Sequence, residues 1–214
     1  MDDKGWALRI DGVRLRVLRS SANCRVPIRG ATYPSALETT PTRRASVMNN
    51  QAIIGLSILL CFIASSIVAG NYITPRLRAC SREDGIKALA APHMFRFVGL
   101  AFLMPGVASP TLTPAFANPA AYGDLAAAIL AMIAVLGLSI RASWAMLAVW
   151  IFNIEGTADL LFAYYQGIVG APQPPGSLGA AFFIPTLIVP PLLVTHALIF
   201  WQLLRGPASQ RMAP

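Results

Sequence analysis

Five polar side chains lie within long apolar stretches of this 214-residue chain and could together form a site that binds or relays a proton, with Asn153 as a hydrogen-bonding helper: Arg96, Asn153, Glu155, Asp159 and His196. Ionisable groups in hydrocarbon are costly unless they are paired or hydrated, which makes them candidates for function. Glu155 and Asp159 are four residues apart and therefore share one face of a helix. Two neighbouring carboxylates repel each other when both are ionised, so the pair predicts a bound proton or a nearby cation. Arg96 has a side chain long enough to reach Glu155.

The depth of these residues predicts a single buried network. At ~1.5 Å per residue from the predicted cytoplasmic ends of their helices, Arg96, Asn153 and His196 lie about 10 to 13 Å deep. Glu155 lies about 16 Å deep and Asp159 about 22 Å deep. Three helices thus place polar groups at similar depths, and we expect these groups to meet in the cytoplasmic half. A proton relay or solute site, and a purely structural ion pair, both fit this pattern.

Two histidines open a further alternative. His93 follows Pro92 at the predicted first turn of its helix, which favours solvation by lipid headgroups. Together with His196 it could supply the two axial ligands of a b-type haem, although two lone histidines are an unspecific signal. We predict no cofactor and no metal, because the cysteines form no CxxC pair and have no histidine at metal-ligand spacing. The three cysteines are Cys24, Cys61 and Cys80.

Two adjacent prolines interrupt the last apolar stretch. Pro190 and Pro191 remove two amide donors and free carbonyls about one turn earlier, near Thr186 and Leu187. In a membrane these carbonyls need new partners, and a protonated Glu155 at similar depth could donate to one of them. Broken helices near the membrane midplane recur in transporters, whereas a plain packing kink is the structural alternative.

The composition indicates a membrane protein. The chain is 56% hydrophobic and 12% charged, whereas an ordinary soluble domain carries about 25% charged residues. A bilayer core of ~30 Å needs about 20 apolar residues in a helix, and five stretches qualify with differing strength, the third of them being short. We therefore predict an all-α, polytopic transmembrane bundle in an integral membrane domain, 48–214. The predicted helices lie near 52–73, 89–108, 125–140, 144–165 and 180–204.

Positive charge predicts the orientation of this bundle. Apart from Arg96, every Lys and Arg after Met48 falls in the first connection, the third connection or the C-terminal end. The second and fourth connections, 109–123 and 166–179, contain none. Because positively charged loops stay in the cytoplasm, we predict an inner-membrane protein whose first helix starts outside and whose C-terminus is cytoplasmic.

The basic segment 1–47 does not fit this orientation, since its net charge of +5 would lie on the translocated side. We interpret it as a disordered segment upstream of a true start at Met48. A twin-arginine signal at Arg43 and Arg44, or a cleaved signal peptide that includes the first apolar stretch, is an alternative. A nucleic-acid-binding arm is disfavoured because the segment has almost no aromatic residues, and we expect no nucleic-acid partner.

These observations predict a small, non-enzymatic membrane protein, transporter-like or accessory, that uses the buried network. Five spans leave little room for a large pathway, so we expect a homo-oligomer or a partner membrane subunit in the lipid bilayer. The alternative is an acid–base enzyme acting on a lipid or isoprenoid, with Glu155 or Asp159 as the acid or base and His196 assisting. The chain has no HExxH motif, serine–histidine motif or phosphate-binding glycine loop that would support catalysis. A b-type haem carrier is the second alternative.

Overall fold

The computed structural model describes residues 50–174 and 176–205, so the interpretation of 1–47 lies outside the described residues. Within them the chain is helical and has no β-strand. Five helical segments are long and apolar enough to cross a membrane, which confirms the predicted all-α bundle of five spans. We number them α1 to α5: Gln51–Ala79, Arg82–Leu103, Pro114–Ser139, Ala145–Gly170 and Gly179–Leu204.

Helix α2 begins earlier than predicted, at Arg82 rather than near 89. Ser81 caps its N-terminus by accepting a hydrogen bond from the amide of Asp84 at 3.1 Å. Acidic residues in the first turn also favour a helix start, because they face the positive end of the helix dipole. His93 is therefore well inside the helix and fully buried, so its predicted place among the headgroups is wrong.

From Ala91 to Leu103, α2 is a 3-10 helix. This conformation has three residues per turn, so side chains three positions apart lie on one line. The buried residues of the stretch follow this spacing: they are His93, Arg96, Gly99 and Phe102. The 3-10 geometry thus aligns the two polar residues of α2 along the face that packs into the bundle. Such long 3-10 runs are uncommon and often mark functional segments.

Helix α3 also differs from the prediction, because it begins at Pro114 rather than near 125. Pro114 occupies the first helical position, where its missing amide hydrogen costs nothing and its fixed φ favours the helix. Pro119 lies in the second turn and does not end the helix. The segment predicted as a connection is therefore part of the span, and it brings Asp124 into the interior of the bundle.

The proline pair of α5 follows a turn of π-helix, Ile184–Ile188, and the α-helix resumes at Val189. The carbonyl of Leu187, which Pro191 cannot bond, accepts a hydrogen bond from the Cys61 thiol of α1 at 3.5 Å. Pro190 and Pro191 thus lie just after the point where the helix changes from π to α form, a feature that we call the helix break. The expected donor was wrong, since a thiol from α1 takes the role proposed for Glu155.

Two apolar cores lie on either side of one polar layer. We call the first core the closed half, and it includes Ile86, Val149, Phe152 and Ile199. We call the second the cavity half, and it includes Phe102, Phe116, Leu160 and Ile184. Helices α2 to α5 each contribute to both halves and carry polar residues between them. The polar layer consists of His93, Arg96, Asp124, Asn153, Asp159 and His196.

Helix α1 stands at the edge of this arrangement. Only 6% of its most apolar window is buried, against 33–44% for the other four helices. It carries many exposed aliphatic side chains, and its closest helical neighbour is α5. An apolar helix with so little buried surface is suited to a lipid environment.

Candidate functional site

Arg96 is the centre of the polar layer and is 1% exposed. Its Nε donates to Asp124 Oδ1 at 2.8 Å, and its Nη2 lies 2.8 Å from the same oxygen. Nη2 also donates to Oδ2 of Asp159, and Nη1 donates to the carbonyl of Gly156 at 3.1 Å. The guanidinium of α2 is thereby bonded to side chains of α3 and α4. We call Arg96, Asp124 and Asp159 the ion cluster.

The charges of the ion cluster do not balance. One guanidinium faces two carboxylates, so the cluster carries one excess negative charge when both acids are ionised. An uncompensated charge is expensive in an apolar interior and is normally neutralised by a proton or by a cation. The cluster therefore has the composition of a site that takes up one further positive charge.

Three glycines provide the space that the ion cluster occupies. A Cβ atom on Gly99 would overlap the carboxylate of Asp124, and one on Gly123 would overlap the carboxylate of Asp159. A Cβ on Gly156 would lie 2.8 Å from both Arg96 Nη1 and His196 Nε2. Any side chain at these positions would displace a charged or polar group. Glycine is thus required at these three positions, because a charged or polar side chain lies directly against the backbone there.

The second part of the polar layer is a pair of histidines. His93 and His196 are both fully buried, and their ring centroids are 4.1 Å apart. Nδ1 of His196 lies 2.7 Å from Oδ1 of Asn153, whose Nδ2 donates to the backbone carbonyl of His196. Since an amide oxygen only accepts, Nδ1 of His196 carries a proton, and in the neutral imidazole Nε2 is then a bare acceptor. Nε2 of His93 lies 2.9 Å from Thr195 Oγ1.

The histidine pair leaves two nitrogen atoms without hydrogen-bond partners: Nδ1 of His93 and Nε2 of His196 are buried and unsatisfied. The contact between the rings also bears on the haem alternative. Two axial imidazoles must approach a haem iron from opposite faces of the macrocycle. Rings already in contact leave no room for a macrocycle between them, so this geometry does not support a haem held by His93 and His196.

The structure separates Glu155 from the other predicted site residues. Arg96, Asn153, Asp159 and His196 all lie in the polar layer, whereas the half-buried Glu155 has an Oε2 atom with no hydrogen-bond partner. The expected contact between Arg96 and Glu155 is replaced by the two aspartates. The two acids share one helical face, and the difference of one turn along it brings Asp159 rather than Glu155 within hydrogen-bond distance of Arg96.

Asp124 is the site residue that sequence reasoning missed. The preceding Gly123 and the two prolines of this region suggested a loop that ends at the helix start. The available signal was Thr113 followed by Pro114, an N-terminal helix pattern, and an alanine-rich run up to Tyr122. With the helix extended back to Pro114, Asp124 becomes an intramembrane acid.

A cavity of about 330 Å³ lies against the ion cluster in the cavity half. Most of its lining is apolar, and α1 forms one wall with Ile54, Gly55 and Ile58. Among the described residues that line it, the charged ones are Asp124 and Asp159. Within the ion cluster the two acids border this cavity and the base does not. The side chains of Asp124 and Asp159 are 9% and 12% exposed, whereas that of Arg96 is 1% exposed.

Two loops cover the cavity half. The segment after α2 and the segment before α5 are joined by backbone hydrogen bonds, from Ser109 to Ser177 at 3.0 Å and from Ala180 to Val107 at 2.9 Å. A second cavity of about 230 Å³ lies beneath the second loop and shares Gln51, Ile54, Gln173 and Leu178 with the first. The two cavities are therefore adjacent, and these four residues lie between them.

Comparison with known proteins gives one match. A family model with the description "Domain of unknown function (DUF8737)" matches residues 53–204, which include all the helices that form the polar layer and the cavity. No curated protein and no solved structure was found to match the chain.

Proposed function

We propose that this chain, which belongs to the DUF8737 family of domains of unknown function, is a small multi-pass inner-membrane protein of transporter-like type. It binds a small, mostly apolar solute in the cavity and exchanges a proton at the ion cluster. The absence of Lys and Arg from the loops of the cavity half supports a periplasmic position for that half and a cytoplasmic C-terminus.

The observation that carries the proposal is the contact between unbalanced carboxylates and open space. A structural ion pair gains most when its charges are fully enclosed and matched. Here Asp124 and Asp159 share one guanidinium and both line the cavity. A proton or a solute group that enters the cavity can therefore reach an acid without displacing a helix.

The histidine pair, which lies on the side of the ion cluster away from the cavity, also supports the proposal. Nε2 of His196 is an unpaired acceptor near Arg96, and His93 continues the polar layer toward Thr195. These groups are buried proton-binding atoms that do not belong to the described lining of the cavity. A proton taken up at the ion cluster thus has polar neighbours on the side that faces the closed half.

The other predicted functions have less support. Of the three residues proposed for acid–base catalysis, Asp159 lines the cavity, whereas Glu155 and His196 are not among its lining residues. An enzyme would need its acid and base in contact with the same substrate. A second copy of the chain or a partner subunit stays a prediction.

Labelling with a hydrophobic carbodiimide tests the proposal. The reagent adds to protonated carboxyl groups in apolar surroundings and leaves an N-acylurea that mass spectrometry can locate. We expect the detergent-purified full chain to be labelled at Asp124 or Asp159, more strongly at mildly acidic than at alkaline pH. The exposed Glu83 is the internal control and should stay unlabelled. No adduct at either aspartate at any pH would contradict the proposal and indicate a closed, permanently ionised pair.

A further inference from the structure

We propose that the cavity accepts a small organic cation, an ammonium group on a compact apolar body, and that the ammonium binds at Asp124 and Asp159. This inference rests on the proposed function and names the solute class of the same site. It follows from the charge of the cavity wall, from the hydrogen-bond acceptors in it and from its size.

Charge is the first argument. The described lining residues carry two acids and no base, because Arg96 lies behind the carboxylates. The loops over the cavity, 104–113 and 171–178, also contain no Lys or Arg. Among the described residues of the lining and these loops, an anion would find no positive partner, and it would add to the excess negative charge. A cation neutralises the ion cluster, and a neutral solute leaves it unbalanced.

The remaining wall also suits a cation with an apolar body. Phe102 and Phe116 line the cavity and contact each other edge to face, with centroids 5.5 Å apart. Aromatic faces attract cations and pack against apolar groups. The Tyr164 hydroxyl donates its hydrogen to the carbonyl of Pro185 at 2.8 Å, so its oxygen is left as an acceptor. The polar lining therefore offers acceptors to an ammonium donor.

Size limits the solute. Ligand pockets range over about 300–1,000 Å³, and this cavity of about 330 Å³ lies at the lower end. A single aromatic ring with a short aminoalkyl group is the appropriate scale. Longer amphiphiles would have to extend between α1 and the bundle or into the second cavity beneath the loops.

Ammonium and proton compete for the same oxygen atoms. The charged groups that act on Asp159 are Arg96 of α2, Asp124 of α3 and Glu155 of its own helix, and His196 of α5 lies beside Arg96. The α1 residues in the cavity wall are not titratable. Protonation of either aspartate removes the negative charge that holds the ammonium, so binding should weaken as the pH falls. Solute binding would then release a proton, which links this inference to proton exchange.

A matched set of three probes tests the inference: benzylammonium, benzyl alcohol and benzoate share one ring and differ in charge. Binding to the full chain in detergent is measured by isothermal titration calorimetry. We expect benzylammonium to bind at least about tenfold more tightly than the other two. Asp124→Asn should weaken its binding by about tenfold or more, whereas the exposed control Glu83→Gln should not.

A second pair of variants leaves the ion cluster untouched. Gly55 lines the cavity, and a Cβ added there meets nothing within 4 Å, so Gly55→Leu should fold and fill part of the space. Gly70 in the same helix also meets nothing within 4 Å and does not belong to the described lining, so Gly70→Leu is the matched control. We expect benzylammonium binding to be lost in the first variant and kept in the second.

The outcomes separate the two proposals. Binding of benzyl alcohol or benzoate that equals benzylammonium binding and is lost in Gly55→Leu would overturn the cation inference and keep the solute site. Absence of binding by all three probes, or binding that Gly55→Leu does not change, would overturn both the cation inference and the use of the cavity as a solute site.

Discussion

The two halves of the bundle on either side of the polar layer are built from the same four helices and differ in what fills them. In the closed half, Ile86, Phe152 and Ile199 are fully buried and belong to one packed core. In the cavity half, Phe102, Leu160 and Ile184 leave a space of about 330 Å³ against α1. The acids of the polar layer face this space, and the histidines contact the packed Phe152.

This difference indicates a division of roles within one layer. Groups that face the cavity can exchange partners, because water, a proton or a solute can reach them. The histidines are surrounded by protein, so their arrangement depends on packing and on Asn153 and Thr195. The following variants test whether the two sides behave differently.

Removal of the guanidinium should have the largest effect. Arg96→Met leaves two carboxylates beside the cavity without their counter-charge, and loss of one partner of a buried pair costs about 3–5 kcal/mol. We expect a large fall in the unfolding temperature of the purified protein in detergent. Arg78→Met, at an exposed position of α1, is the control. Equal stability of the two variants would show that the ion cluster is not a buried, coupled unit.

A side chain placed between the backbone of Gly123 and the carboxylate of Asp159 should have the next largest effect. Gly123→Ala places a methyl group into the carboxylate of Asp159, and overpacking of this kind costs about 1–3 kcal/mol. Gly55→Ala meets nothing within 4 Å and should be neutral or stabilising, since alanine favours a helix over glycine. Thermal unfolding of both variants is the measurement. If Gly123→Ala is as stable as Gly55→Ala, the packing described at Asp159 is incorrect.

A variant on the side of the polar layer that faces the closed half should change the stability of the protein but not its solute binding. Asn153→Ala removes the partner of His196 Nδ1 and leaves a buried donor unsatisfied, at a cost of about 1–3 kcal/mol. Because Asn153 does not belong to the described cavity lining, we expect benzylammonium binding to the folded variant to stay within about twofold of the wild type. A tenfold loss of affinity without unfolding would show instead that the histidine side takes part in solute binding.

The contact between α1 and the helix break should give the smallest effect. Cys61→Ala removes the thiol that donates to the carbonyl of Leu187, a weak hydrogen bond worth at most about 1 kcal/mol. Cys61→Ser keeps a donor at the same place and should restore most of the loss. An alanine variant with unchanged unfolding temperature would mean that water or another group satisfies this carbonyl.

Several parts of the site could be recognised without coordinates. Arg96, Asp159, Asn153 and His196 stand out because charged and amide side chains are rare in apolar stretches. Their spacing along each helix shows that they lie at similar depths. Asp124 could not be placed in the same way. Whether it belongs to the site depends on where α3 begins, and the prolines near that point are compatible with a loop as well as with a helix start.

The amino-acid order by itself determined the number of spans and the set of polar groups that must be buried. The length of each apolar stretch, and the cost of the charges within it, can be read along the chain without coordinates. Tertiary packing decided which acid meets the guanidinium, because partner choice depends on helix rotation and on glycines that let backbones approach. It also decided where a cavity remains, since a cavity forms where the side chains of several helices do not pack against one another.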